Sequence, residues 1–234
     1  MTQVKMRRGG FYFHDKIPYV SVTTVLKIIA KPAIQYWYGN QIYWAMVKDP
    51  GLGEKEAMAF PWSEGRTAQA RGTAVHSIVE AWKKIGEVKG TDLEEYGGYA
   101  RAFDNWRKDY DPQPLVHEKS IRSEKYGFGG TLDLLAMVRD RKCLIDVKTN
   151  EGANIYDEVQ LQLSAYAQGL LEEGEPVDEI WALSLGVDGS FKFKQFQSDL
   201  DTFLNAQALW VWNNKAKCKK VGYNMKFGSR KEAE

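Results

Sequence analysis

The chain has 234 residues, of which 44% are hydrophobic and 27% are charged, and its formal net charge at pH 7 is +1. This length and hydrophobic content suffice for one main domain with a substantial core. The nearly neutral balance excludes a protein that is held to nucleic acid by its overall charge, so any DNA contact must come from local basic surfaces. Composition alone leaves the function open.

The two cysteines indicate a reducing compartment. Cys143 lies in an apolar run and Cys218 in a lysine-rich segment, and residues so far apart in sequence offer neither a zinc site nor an iron–sulfur ligand set. No run approaches the roughly 18 apolar residues of a membrane span, and the basic start leads into Gly9 and Gly10 without the apolar core of a signal peptide. We predict a soluble, cytoplasmic protein with no membrane association and no iron–sulfur cluster.

The first third of the chain is rich in aromatic residues and predicts helices. Residues 21–26 resemble a helix start. A second helix is predicted over residues 63–85, where apolar residues recur at i, i+3, i+4 and i+7, and a third over residues 99–110. The apolar stripe of the second helix consists of Val75, Ile78, Val79 and Trp82.

After Pro112 and Pro114 the spacing of apolar residues changes from helical to strand-like, so the sheet is predicted to begin there. The resulting order of elements predicts an α/β or α+β fold, with a central mixed sheet flanked by helices and an N-terminal helical addition. The predicted strands cover residues 115–121, 130–138, 142–148, 180–185 and 191–196, and the later helices cover residues 154–171 and 200–212.

Two of these strands flank one short polar turn and carry a distinctive set of charges. The first contains Asp133, and the second contains Asp146 and Lys148. If the turn is centred near Asp140 and Arg141, Asp133 lies opposite Lys148 and all three charged side chains project from one face, because side chains alternate faces with a period of two. The residues predicted on the other face are Leu132, Leu134, Ile145 and Val147.

Clustered acids beside a lysine are costly to bury unless they are paired or bind a metal. Hard oxygen ligands suit Mg²⁺ or Mn²⁺, which bind one or two carboxylates together with substrate phosphate, and the ammonium of Lys148 would stabilise charge at phosphorus. A surface hairpin with alternating charges, or a simple Asp–Lys pair across the strands, is the structural alternative.

Two helical pairs at i, i+4 spacing accompany this set. His76 and Glu80 share one face of the predicted second helix, where the histidine could ligate a metal or form a hydrogen bond at the edge of the core. Gln162 and Tyr166 share a face of the helix after the hairpin, where they could contact nucleic acid or serve ordinary packing. Glu118 offers a further acid, for which a solvated position on a strand is the preferred reading.

Together these residues resemble a known family. Asp133 followed by Asp146-Val147-Lys148 is similar to the PD-(D/E)xK nuclease signature, with Asp in the D/E position. His76 upstream, and Gln162 and Tyr166 downstream, resemble the additional His and QxxxY motifs of the RecB-like branch. Within that branch the likeness extends over residues 19–212 to the mitochondrial genome maintenance exonuclease and to phage and bacterial exonucleases.

The resemblance implies roles for the matching residues. Asp133, Asp146 and Lys148 would be catalytic, and the two aspartates, His76 and the main-chain carbonyl of Val147 would ligate Mg²⁺ or Mn²⁺. Two further residues, Gln162 and Tyr166, would contact DNA. Members of the branch with an iron–sulfur cluster carry four cysteines, which this chain lacks, so a cluster-free member with a restriction-endonuclease-like core is expected.

On this reading, residues 1–62 form an aromatic-rich helical region, residues 63–212 form the nuclease core, and residues 213–234 form a flexible basic tail. The expected activity is metal-dependent exonuclease action on DNA, with preference for a single strand that has a free end. The resemblance also suggests recombination or replication proteins as partners, roles in DNA recombination and repair, and a phage-encoded protein acting in the host cytoplasm.

Two alternatives to this activity remain. One is a duplex 5′→3′ exonuclease that acts with a recombinase. The other is a catalytically idle nucleic-acid-binding module, in which Trp37, Trp44 and Trp62 would stack on bases and the lysines of residues 215–220 would contact phosphates. The same residues also have explanations without a binding role, in which the aromatic side chains pack in the core and the lysines form a solvated tail.

Overall fold

A mixed sheet of eight strands runs through the part of the chain that the computed structural model describes, residues 5–29, 32–85, 93–150 and 153–224. The strands are β1 (Lys5–Arg8), β2 (Phe11–His14), β3 (Ile17–Ser21), β4 (Gln113–Ser123), β5 (Phe128–Val138), β6 (Arg141–Asn150), β7 (Glu179–Gly186) and β8 (Phe191–Phe196). The helices are α1 (Val22–Val25), α2 (Pro32–Lys48), α3 (Glu54–Ile85), α4 (Leu93–Tyr110), α5 (Glu158–Glu172), α6 (Leu200–Asn213) and α7 (Lys215–Val221), and a 3-10 helix covers Leu26–Ile28.

Strand β5 connects the N-terminal strands to the rest of the sheet. It pairs antiparallel with β4 along most of its length, and its other edge pairs first with β3, in parallel, and then with β6, antiparallel. From β6 the sheet continues through the parallel strand β7 to the antiparallel edge strand β8. The predicted mixed α/β architecture is confirmed.

Two buried clusters cover the two faces of the sheet. On one face, Leu135 and Leu144 pack with residues of α5 and α6, including Leu163 and Phe203. On the other face, apolar residues of the strands pack beneath α3 and α4, and the second cluster includes Val75, Phe103, Trp106, Leu134, Ile145 and Val147. Because alternate residues of β5 and β6 serve opposite cores, both strands are buried on both faces.

The hairpin that joins β5 and β6 forms as predicted, but its register differs. The turn consists of Arg139 and Asp140, whose φ angles are 48° and 63°, and Leu134 pairs with Ile145. Two adjacent residues with positive φ match the tight turn that suits the twist of a hairpin. The predicted centre near Asp140 and Arg141 was therefore wrong by one residue, and the pairing of Asp133 with Lys148 was wrong.

A shift of the turn by one residue moves the register by two, so the faces of the strands are unchanged. Leu134, Ile145 and Val147 lie in the core under α3 and α4, as expected. Leu132 does not, because it lies in the cluster on the opposite face, together with Leu135. The alternation of β5 is thus interrupted close to Asp133.

Several other predicted boundaries were wrong. The sheet does not begin after Pro114, because β1, β2 and β3 precede all the long helices and join it through β5. Helix α3 starts at Glu54 and carries Pro61 within it, and the segment predicted as a basic tail begins with α7. The side chains of Ile78, Glu80 and Trp82 lie outside the described residues, so the predicted apolar stripe is seen only at Val75 and Val79, which are buried.

Within the described residues, none of the helices has the length and apolar character that crossing a bilayer requires.

The contact between α4 and the loop after β7 generates a prediction about stability. A methyl group at Gly98 would overlap the main-chain carbonyl of Val187, and backbone atoms can move away only by distorting the loop. We expect Gly98→Ala to lower the free energy of unfolding by about 1–3 kcal/mol, measured as a lower midpoint of urea denaturation.

Gly97→Ala is the matched control. A methyl group there would make ordinary contact, 3.5 Å from a guanidinium nitrogen of Arg101, and alanine is the better helix former by up to about 1 kcal/mol. We expect this variant to be as stable as the wild type or more stable. Equal midpoints for the two variants would contradict the close approach of α4 to the loop.

Candidate active site

The predicted charged residues meet where β5 and β6 separate. One edge of β5 pairs with β3 at Phe128 and Gly129, and the same edge pairs with β6 from Leu134 onward. Asp133 lies between these two paired stretches. A break in the ladder at this point gives its side chain access to the backbone of β6.

Asp133 uses that access to accept a backbone hydrogen bond. The N–H of Val147 donates to Oδ2 of Asp133 at 2.8 Å, so the carboxylate satisfies a strand amide that the separated partner strand no longer serves. The Asp133 side chain is only 13% exposed. This contact holds the first acid against the segment that carries the second acid and the lysine.

Asp146 is buried and is held by two cationic or polar donors. The ammonium nitrogen of Lys148 lies 2.9 Å from Oδ1 and 2.7 Å from Oδ2 of Asp146. Nε2 of Gln162, from α5, donates to Oδ1 at 2.6 Å. The side chain of Asp146 is 2% exposed and that of Lys148 is 37% exposed, so the lysine lies between the buried acid and solvent.

His76, on α3, contacts the peptide group of Val147 from the other face of the sheet than α5. The main-chain carbonyl of Val147 accepts a hydrogen bond from Nε2 of His76 at 3.1 Å. Nδ1 of His76 lies 3.4 Å from Oε1 of Glu118 and 3.7 Å from Oδ1 of Asp133. Val147 thus contacts Asp133 through its N–H and His76 through its carbonyl. These two contacts bring residues of α3, β5 and β6 together.

Glu118 belongs to this cluster, although the sequence favoured a solvated position on a strand. His76, Glu118 and Asp133 each offer one ligand atom, and these atoms lie within 4.8 Å of one another. Glu118 has a φ of 48° inside β4, a conformation that costs non-glycine residues about 1–3 kcal/mol and concentrates at functional sites. No sequence pattern signals this, because glutamate is not a residue that favours positive φ.

Gln162 and Tyr166 lie on the floor of the site, and both are buried. The hydroxyl of Tyr166 accepts a hydrogen bond from Nε2 of Gln162 at 3.5 Å. Its ring packs against Gly130, where a Cβ atom would overlap the ring. Through its hydrogen bond to Asp146, Gln162 orients that carboxylate. Contact of Gln162 and Tyr166 with DNA remains a prediction.

Burial and mutual repulsion control the charges of the site. Burial, followed by the charge of Asp146, raises the pKa of Asp133 to about 7. Burial lowers the pKa of the Lys148 ammonium, but the charges of Asp146 and Asp133 outweigh it and the net pKa is raised. The hydrogen bond to Glu118 raises the pKa of His76. With no metal bound, the raised pKa keeps the Lys148 ammonium protonated at neutral pH.

No family model matches the chain, and no curated protein matches it. Among solved structures, an alkaline exonuclease from Laribacter hongkongensis, LHK-Exo, is 13% identical, with 87% of this chain and 91% of that chain covered at a TM-score of 0.45. LHK-Exo in complex with dAMP gives 14% identity, 88% and 95% coverage and a TM-score of 0.41. A protein assigned as an exonuclease from Eubacterium rectale gives 13% identity, 88% and 82% coverage and a TM-score of 0.43. Similarities of this size assign no role to residues of this chain.

The donor set fits a divalent cation. Carboxylate oxygens of Asp133, Asp146 and Glu118 are the hard ligands that Mg²⁺ and Mn²⁺ prefer, and an imidazole nitrogen and a main-chain carbonyl are compatible additions. A cation would also relieve the repulsion between the two aspartates, which raises the pKa of Asp133 in its absence. His76, Glu118 and Asp133, whose ligand atoms lie together, would hold it. Asp146, whose carboxylate contacts Lys148 and Gln162, and the carbonyl of Val147 remain predicted ligands.

The raised pKa of Asp133 generates a prediction about the metal-free protein. The carboxyl group titrates near 3.8 in the unfolded chain and near 7 in the folded chain, so the folded state binds more protons in this window and stability should fall as pH rises through it. Asp133→Asn removes that cost and keeps an oxygen for the N–H of Val147. We expect Tm in EDTA at pH 8 to rise by about 2–4 °C, the shift that about 1 kcal/mol produces in a chain of this size.

The exposed Asp109 on α4 provides a control, since Asp109→Asn should leave Tm unchanged. Added Mn²⁺ should raise the Tm of the wild type, because a ligand that binds only the folded state stabilises it, and should leave Asp133→Asn unaffected. A marked loss of Tm in EDTA for Asp133→Asn would show that this acid serves the fold and not a metal.

Proposed function

We propose that the chain is a divalent-metal-dependent exonuclease of the PD-(D/E)xK type that hydrolyses DNA, with preference for a single strand that has a free end. The observation that carries the proposal is that Asp133 and His76 contact the same peptide group, that of Val147. Glu118 lies beside these two residues, and the buried ion pair of Asp146 and Lys148 flanks Val147 in β6. A structural ion pair would need neither the second acid nor the strained glutamate. Buried acids that repel each other fit a cation and an anionic substrate better.

In this mechanism a divalent cation supplies positive charge at the phosphodiester when it is bound. Asp133, Glu118 and His76 would hold it, together with Asp146 and the main-chain carbonyl of Val147. The ammonium of Lys148 faces the same space and stabilises negative charge that develops on the phosphate. Gln162 fixes the carboxylate of Asp146, and the contact of Val147 with Asp133 fixes the spacing of the two acids.

The preference for a single strand is supported by exposed aromatic residues on α2 and the first half of α3. Tyr36, Tyr43, Trp44 and Trp62 are 74%, 60%, 55% and 64% exposed. Exposed aromatic rings of this kind can stack on unpaired bases. Trp37 lies seven residues before Trp44, which separates them by about 10.5 Å along the helix, close to three base steps of about 3.4 Å each.

Replacement of Lys148 tests the chemistry. Lys148→Ala removes the cation beside the phosphate, and loss of one preorganised charge of this kind lowers kcat by about 10²–10³-fold or more. We expect end-labelled single-stranded DNA in Mg²⁺ to be degraded at least 100-fold more slowly, with DNA binding retained. The measurement is the rate of shortening on a denaturing gel.

Lys194→Ala is the control. Lys194 lies on the edge strand β8, and its ion pair with Asp157 is exposed, so its loss should not affect cleavage. Circular dichroism verifies that both variants are folded. Wild-type rates for a purified Lys148→Ala variant would rule out the proposed site. EDTA should abolish cleavage by the wild type and by the Lys194→Ala variant.

The requirement for an end has its own test, in matched linear and circular forms of one single-stranded oligonucleotide. Stacking on aromatic side chains favours unpaired bases by about 1–3 kcal/mol per base. We expect the linear strand to be shortened in steps, the circle to survive and blunt duplex to be cut slowly. Trp44→Ala should weaken binding of the linear strand, by about 5–150-fold on that scale.

Trp212→Ala is the matched control, since Trp212 is also 64% exposed but lies on α6. Circles that are cut as fast as linear strands would turn the proposal toward an endonuclease with the same catalytic residues. Blunt duplex degraded faster than single strands would favour the duplex exonuclease.

A further inference from the structure

A pocket of about 350 Å³ is lined in part by Lys148, whose side chain is 37% exposed. We call it the Tyr156 pocket, after the exposed tyrosine that lines it. Besides the catalytic lysine and Gln162, it is lined by residues that the mechanism leaves without a role. Those that matter for its chemistry are Leu26, Lys27, Asn154, Tyr156, Glu158 and Val159.

The lining combines positive charge, apolar surface and an exposed aromatic ring. Lys148 and Lys27 provide positive charge, Leu26 and Val159 provide an apolar floor, and the ring of Tyr156 is 56% exposed. Cations suit a phosphate, and an exposed ring suits the face of a base. Glu158, the acid among the lining residues, disfavours a second phosphate. The combination matches one nucleotide better than a stretch of backbone.

The size of the pocket supports the same conclusion. Ligand pockets span about 300–1,000 Å³, and 350 Å³ lies at the lower end of that range. This volume suits one nucleotide better than a base pair or a dinucleotide.

The wall that carries Tyr156 is held in place by Asn150, at the end of β6. Nδ2 of Asn150 donates to the carbonyl of Asn154 at 2.7 Å and to Oγ of Ser184 at 2.9 Å, and Oδ1 of Asn150 accepts the N–H of Asn154 at 2.6 Å. Both polar groups of the Asn154 backbone are thus tied to the strand that carries Asp146 and Lys148. The pocket is formed before a ligand arrives, in a fixed position relative to the catalytic residues.

From this juxtaposition we infer that the Tyr156 pocket receives the terminal nucleotide of the DNA strand, so that the enzyme releases mononucleotides, with Tyr156 stacking on the base and Lys27 contacting the phosphate. The inference rests on the proposed function. Each turnover consumes one water: its oxygen forms a bond to phosphorus, the phosphorus–oxygen bond to the neighbouring nucleotide breaks, and a proton passes to the leaving oxygen.

The experiment has two separate readouts on the full chain. The first is the length of the earliest products from uniformly labelled single-stranded DNA in Mg²⁺. The second is calorimetric titration of the protein with dAMP in Mg²⁺, which requires no cleavage. Both are carried out on the wild type, on Tyr156→Ala and on Lys27→Ala, whose mutated side chains are exposed and should not affect folding. Trp212→Ala and Lys220→Ala are the matched controls, since both replace exposed side chains on α6 and α7.

We expect mononucleotides as the first products and dAMP binding that weakens at least 10-fold in Tyr156→Ala and Lys27→Ala, with both controls unchanged. The two pocket variants should also raise KM for DNA more than they lower kcat, because they act on binding. Products that begin at two or more nucleotides, or dAMP binding that is equal in all variants, would overturn the pocket and leave the nuclease proposal intact. If no DNA is cleaved, the nuclease proposal fails, and the titration alone decides whether the pocket binds a nucleotide.

Discussion

The hydrogen bond from the N–H of Val147 to the carboxylate of Asp133 is the contact on which the site depends. Antiparallel strands normally satisfy each other's backbone groups, and a strand that leaves its partner exposes amides that must find another acceptor. Here the acceptor is an acidic side chain of the strand that separates. The same peptide offers its carbonyl to His76. One interruption of the ladder therefore explains why two acids, a lysine and a histidine from three elements meet at one point.

The two cores of the protein allow this interruption. Leu134 and Ile145, immediately before the separation, are completely buried under α3 and α4, while Leu135 and Leu144 are buried against α5 and α6. Burial of apolar surface on both faces stabilises the paired part of the hairpin, by about 25 cal/mol for each Å² removed from water. Because of this stabilisation, the unpaired end can carry groups that lower the stability of the fold. The raised pKa of Asp133 and the positive φ of Glu118 are two such costs, and both fall on residues that face the proposed cation.

The parts of the fold and of the site that could be predicted from the sequence are those formed by residues close together in the chain. The period-two pattern around Asp133 and Asp146 is local, so the hairpin and the faces of its acids could be predicted, and an error of one residue in the turn left those faces unchanged. Strand β3 pairs with β5 across more than a hundred residues, and β1 and β2 join the sheet only through it. The short aromatic segments of these strands do not distinguish a strand from a helix. Glu118 joins the site through a backbone conformation that its side chain does not favour. Long-range pairing and local strain are not encoded in spacing.

The position of the site at an end of β6 also determines what can surround it. The strand carries Asp146 and Lys148 on one face and then ends at Asn150, whose amide holds the loop of Asn154. Asp146 and Lys148 therefore lie on a segment that stays paired with β7. The adjoining walls come from a loop, from the 3-10 helix and from the first turn of α5. Precise spacing is needed where charge develops on a phosphate, since small displacements there are costly. Recognition of a base tolerates the looser geometry of a loop. The fold thus separates a rigid centre, whose residues must match the chemistry, from a neighbouring wall on which residues can change with the substrate.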